Sequence, residues 1–94
     1  NYEVIVSVTG PVDPKTGFVV DLGWLAELIE KEVEERLDHK NLNEEVSFFS
    51  NLNPTAENIA IVIWGLLQPH MNSNHKLKIT LYETPRNFVE YEGE

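Results

Sequence analysis

Cysteine is absent from this 94-residue chain, which excludes a disulfide framework, a zinc knuckle and a thiol nucleophile within these residues. The same absence fits a reducing cytoplasm. Basic residues are scarce: 7 Lys and Arg stand against 16 Asp and Glu, a formal charge of −9. Such a field repels phosphate backbones and anionic lipid heads, which argues against nucleic-acid and membrane-surface roles. No uninterrupted apolar run is long enough to span a bilayer, and no signal-peptide pattern is visible. Internal repeats, low-complexity tracts, a Gly-rich phosphate loop, a GxSxG elbow and a dinucleotide fingerprint are missing too. His39, His70 and His75 lack HxH, HxxxH or HExxH spacing, so no metal site can be assigned among them from sequence.

What is present is a globular composition, 41% hydrophobic and 24% charged. The length implies one small domain over 1–94 that buries about two-thirds of its unfolded surface, so that oligomer contacts would help its stability. In YEVIVSVT (2–9), Tyr2, Val4, Val6 and Val8 share one parity, the mark of a half-buried strand. GPVDPKTG (10–17) is turn chemistry, with Pro14 fixing φ and Gly17 free to take positive φ. Phe18–Val20 then resume an extended run, which predicts a hairpin. Asp21 is placed to N-cap a helix whose stripe is Leu22, Leu25, Ile29, Val33 and Leu37. Glu27/Lys31 and Glu32/Arg36 stand one turn apart, acid before base. A second helix opens at NPTAEN, is apolar nearly all round through IAIVIWGLL (59–67), and ends at Pro69. Leu77, Ile79 and Leu81 alternate in a strand over 76–83, and Phe88–Glu92 form a last strand. The expected order is ββααββ, an α+β layer with two helices on one face of an antiparallel sheet.

Three places could carry chemistry. Asp38 and His39 follow the first helix, and a carboxylate beside a histidine can set its tautomer for acid–base work. Equally, they are ordinary residues near a helix C-terminus, where the dipole favours His39. Glu83 continues the parity of Leu77, Ile79 and Leu81, which aims a carboxylate at an apolar face. Unpaired burial there costs several kcal/mol. It must therefore be protonated, paired with Arg86, at the wet rim, or awaiting a cationic or N–H-rich ligand. Thr55 and Glu57 open the second helix, where capping and charge–dipole contact explain them as well as a ligand would. Trp24 and Trp64 sit at core-like helical positions. His70 and His75 read as solvated loop histidines, and the acidic stretch Glu30–Glu35 as a solvated helix face.

The runs DPKTGFVVDLGWL, LDHKNLN, NPTAENIA with its following IW, and YETPRNF leading into EYEGE occur in an order and spacing that resemble the 6-pyruvoyl/6-carboxy-tetrahydropterin synthase family. The resemblance covers the whole chain. It implies the tunnelling fold: a sheet carrying two helices on one face, three subunits closing a barrel, and two rings stacked as a homohexamer with active sites between subunits. It also implies that Glu83 anchors a pterin ring through its amino and ring N–H groups, by bidentate recognition. Thr55 and Glu57 would line the pterin pocket, and Asp38 and His39 match two members of a proton-shuttling Cys–Asp–His triad. The family's zinc histidines, its first strand and its triad cysteine are expected upstream of Asn1. The chain therefore reads as N-terminally truncated, to be completed by a separate piece, with zinc as the implied cofactor and no metal ligand of its own.

The expected activity is that of a carbon–oxygen lyase acting on 7,8-dihydroneopterin triphosphate. Triphosphate elimination and proton shuttling would yield 6-pyruvoyl- or 6-carboxy-tetrahydropterin. Lys40 and Arg86 are the basic residues placed to receive the phosphates. A non-catalytic pterin-binding or assembly module is the alternative, favoured by the lack of thiol and zinc ligands. Another tunnelling-fold enzyme would share the carboxylate anchor but gives no reason for LDHKNLN beside PTAEN.

Overall fold

In the computed structural model, residues 2–37 and 55–93 are described. Strand β1 (Glu3–Thr9) is followed by helix α1 (Leu22–Ile29), a π-helical turn (Glu30–Glu34) and a short helix α2 (Glu35–Leu37). Helix α3 (Ala56–Leu67) runs into a 3₁₀ turn (Gln68–His70), and strands β2 (Lys76–Thr84) and β3 (Asn87–Tyr91) complete the order. The strands form one antiparallel sheet in the order β1-β2-β3.

Period-two alternation places the sheet's core face. Val4, Val6 and Val8 stand opposite Leu81, Ile79 and Leu77, and Val89 and Tyr91 opposite Leu81 and Ile79. Helix α3 covers this face with Ala56, Ile59, Ala60, Ile63 and Leu67, all buried. Leu25, Leu28 and Val33 extend the same core. The other face carries the ion pairs Lys76–Glu92 (3.3 Å) and Lys78–Glu90 (3.5 Å), with Tyr82 and Phe88 stacked at 5.0 Å.

The expected strand at 18–20 is not a strand, so three strands are observed among the described residues. Its backbone is committed elsewhere. Phe18 O accepts from Asp13 N–H (2.8 Å), closing a turn in which Gly17 takes φ +79°, and Val19 O accepts from the His75 ring (3.1 Å). The helix stripe holds except at its start: Leu25 and Val33 are buried, and Ile29 and Leu37 pack against the core. Leu22 is 76% exposed and Leu28 is buried in its place. In the π turn, Glu35 N–H donates to Glu30 O, five residues back, and Val33 within the turn is buried. Among the described residues no helix is long and apolar enough to cross a membrane.

Candidate functional site

Thr55, Glu57 and Glu83 fall at one end of the α3–β2 layer, and the register of α3 on β2 follows from one hydrogen bond. Trp64 Nε1 donates to Leu77 O at 2.9 Å, which fixes the C-terminal half of α3 over the start of β2. Thr55 lies nine residues earlier, about 14 Å back along the helix. Four residues onward from Leu77, β2 has advanced about 13 Å, to Leu81. The chain reverses through 68–75 between the two elements, so the start of α3 and the end of β2 point the same way.

Each of these three residues has a definite local role. Thr55 is the N-cap of α3: its side chain accepts from Asn58 N–H at 3.2 Å. Glu57 is exposed in the first turn, where its charge complements the helix dipole. Glu83 is the extra residue where pairing shifts between Tyr82↔Phe88 and Thr84↔Asn87, a bulge-like break that ends the alternation before it. Its side chain is exposed in the single chain, at the rim, and not buried on the apolar face. Among the described residues it has no ion-pair partner, so the contact expected with Arg86 does not form. Arg86 instead sits in the tight turn after β2, where Thr84 Oγ1 accepts from the N–H groups of Arg86 and Asn87 at 3.2 and 3.1 Å. The result is a free carboxylate with a free guanidinium three residues away, both at a strand end.

Asp38, His39 and Lys40 lie outside the described residues. Among the described residues no three His, Asp or Glu side chains come together to hold a metal ion, so these residues do not fit a zinc site. Two other expectations are corrected. Trp24 is 43% exposed and not a core residue. His75 is half-buried, with one ring nitrogen on Val19 O and the other accepting from Asn72 N–H at 3.4 Å. Both belong to a cleft at the far end of the sheet, lined by none of the predicted site residues. Sequence spacing carries no signal for it, since it depends on residues 56 apart meeting in space.

A family model described as 6-pyruvoyl tetrahydropterin synthase matches residues 1–94. The chain is 42% identical over 94 residues to the 6-pyruvoyl tetrahydrobiopterin synthase of Homo sapiens and 43% identical to that of Pongo abelii. In both cases all of this chain aligns to 65% of the relative, so it spans just under two-thirds of their length. A 6-carboxy-5,6,7,8-tetrahydropterin synthase of Rickettsia conorii is 28% identical, aligned over 95% of this chain and 78% of its own. The solved structure of the Caenorhabditis elegans 6-pyruvoyl tetrahydropterin synthase superposes with a TM-score of 0.89 at 36% identity. That match covers 100% of this chain and 67% of the other.

Proposed function

Because the chain belongs to the 6-pyruvoyl tetrahydropterin synthase family and shares its tunnelling fold, we propose that it acts in converting 7,8-dihydroneopterin triphosphate to a 6-substituted tetrahydropterin. The observation that carries this reading is Glu83: a carboxylate at the end of β2, exposed and unpaired among the described residues, at the same end of the layer as the Thr55–Glu57 start of α3. Two oxygens in a fixed plane match the 2-amino and adjacent ring N–H of a pterin, and charge-assisted pairs of this geometry are both strong and directional. A neighbouring subunit closing over the rim would lower the local dielectric and strengthen the contact. That assembly, a homohexamer of two stacked trimers, is part of the proposal.

The chemistry is elimination of the triphosphate, a carbon–oxygen lyase step, with protons moved by Asp38 and His39. Arg86 is free to meet the leaving phosphates, which an overall charge of −9 would otherwise repel. The described residues offer no metal site of three His, Asp or Glu side chains. The lack of cysteine suits a reducing cytoplasm.

Substituting Glu83→Gln tests the anchor. It swaps one acceptor oxygen for a donor and removes the charge, so affinity for dihydroneopterin should fall by about tenfold or more, read by pterin fluorescence titration. An unchanged dissociation constant removes the assignment. With the triphosphate as substrate, release of acetaldehyde marks the carboxy product and its absence the pyruvoyl product.

A further inference from the structure

At the opposite end of β2 from Glu83, a cleft of about 330 Å³ lies between the 13–21 loop, Trp24 of α1 and the 70–75 turn. Seven residues separate Lys76 from Glu83, about 23 Å of strand, so this cleft is remote from the pterin anchor. Its volume falls at the small end of ligand sites.

The cleft is built rather than incidental. His75 fastens one wall to the other: the carbonyl of Val19 can only accept, so Nε2 is the donor at 3.1 Å, and Nδ1 takes the Asn72 N–H. Gly10 allows the close crossing. A Cβ there would stand 2.9 Å from both Asn74 O and His75 Cδ2. Two carboxylates line the space, each using only Oδ1 on its own backbone. Asp13 accepts from Lys15 N–H (2.8 Å), and Asp21 from Gly23 and Trp24 N–H (2.8 and 3.4 Å). Beside them are two large aromatics left half-exposed, Phe18 and Trp24; the histidines His70 and His75 also line the cleft, and among the described residues no lysine or arginine does. Anionic oxygens next to open aromatic faces select one ligand class: a cation with an apolar body.

We propose that this cleft binds a small organic ammonium ion, its charge facing Asp13 and Asp21 and its alkyl groups against Phe18 and Trp24. The long-range field of an acidic chain favours such a ligand. The site is independent of the pterin reading.

The test is a titration of the chain with tetramethylammonium chloride, followed by the Trp24 indole N–H resonance and assigned with Trp24→Phe. Controls are sodium chloride at matched ionic strength and tert-butanol as a neutral body of similar shape. The expected result is a saturable shift of Trp24, absent at Trp64, with binding weakened roughly three- to tenfold in Asp13→Asn and Asp21→Asn. Both asparagines keep the oxygen that accepts backbone N–H, so the turn and the cap survive the change. Glu83→Gln should leave the titration unaltered. A shift that never saturates or follows sodium chloride equally overturns the proposal, as does equal saturation by tert-butanol or undiminished affinity in both asparagine variants.

Discussion

At the residue scale, the structural and the proposed functional roles of Thr55 separate cleanly. As N-cap it satisfies one free N–H of α3, and Thr55→Ala should cost about 1 kcal/mol in urea unfolding. Thr55→Ser keeps the cap and should recover most of that stability. If pterin affinity falls in the alanine variant and returns with serine, the hydroxyl serves both tasks. Gly10 offers a sharper case. Its added methyl would meet a backbone oxygen and the edge of a pinned ring, neither of which can yield without parting His75 from Val19. Gly10→Ala should therefore destabilise the fold by about 1–3 kcal/mol, the usual range for overpacking, and shift the His75 ring resonances. Capping at Asp21 and Thr55 and the positive φ of Gly17 were legible in sequence, because each depends on neighbours within a few residues. The engagement of His75 was not, because its contact joins residues 56 apart.

At the element scale, local pattern succeeds where regular geometry holds and fails where one residue is inserted. Leu77, Ile79 and Leu81 alternate into the core as expected, and the parity argument for Glu83 stops at the bulge just there. Helix α1 departs from its pattern only at the start: Leu25 and Val33 of the stripe are buried and Ile29 and Leu37 pack against the core, whereas Leu22 is exposed and Leu28 joins the buried side. If the π turn holds a single extra residue, deleting exposed Lys31 should return the segment to α-helix. Leu28 and Val33 would then be four apart and still on one face. The expected change in thermal stability is under about 1 kcal/mol, with helical circular dichroism retained. A collapse of the fold would mean that the turn is required for packing. The segment 18–20 illustrates a different limit: β-branched and aromatic residues suit a strand, but the Phe18 and Val19 carbonyls are taken by Asp13 N–H and the His75 ring.

At the scale of the whole molecule, the sheet is unfinished. Among the described residues β1 and β3 are its edges, and each has one side without a partner strand. Exposed apolar side chains lie along both: Val4 and Ile5 (46% exposed) on β1, with Tyr2 just before it, and Phe88 (50%) on β3. Long apolar edges are pairing templates, and a chain this small gains more from burying them than a larger one would. Composition hinted at this only as small size and a need for company; which surface does the joining required the sheet order. If copies join edge to edge, the chain should sediment above a single chain's mass in a concentration-dependent way, and Ile5→Lys should return it to one chain. Because Ile5 is exposed in the single chain, the lysine should cost about 0.5 kcal/mol or less in a monomer's own stability. A lone species at every concentration, unaltered by the lysine, would remove the edge-pairing argument and with it the shared crevice that Glu83 is proposed to serve.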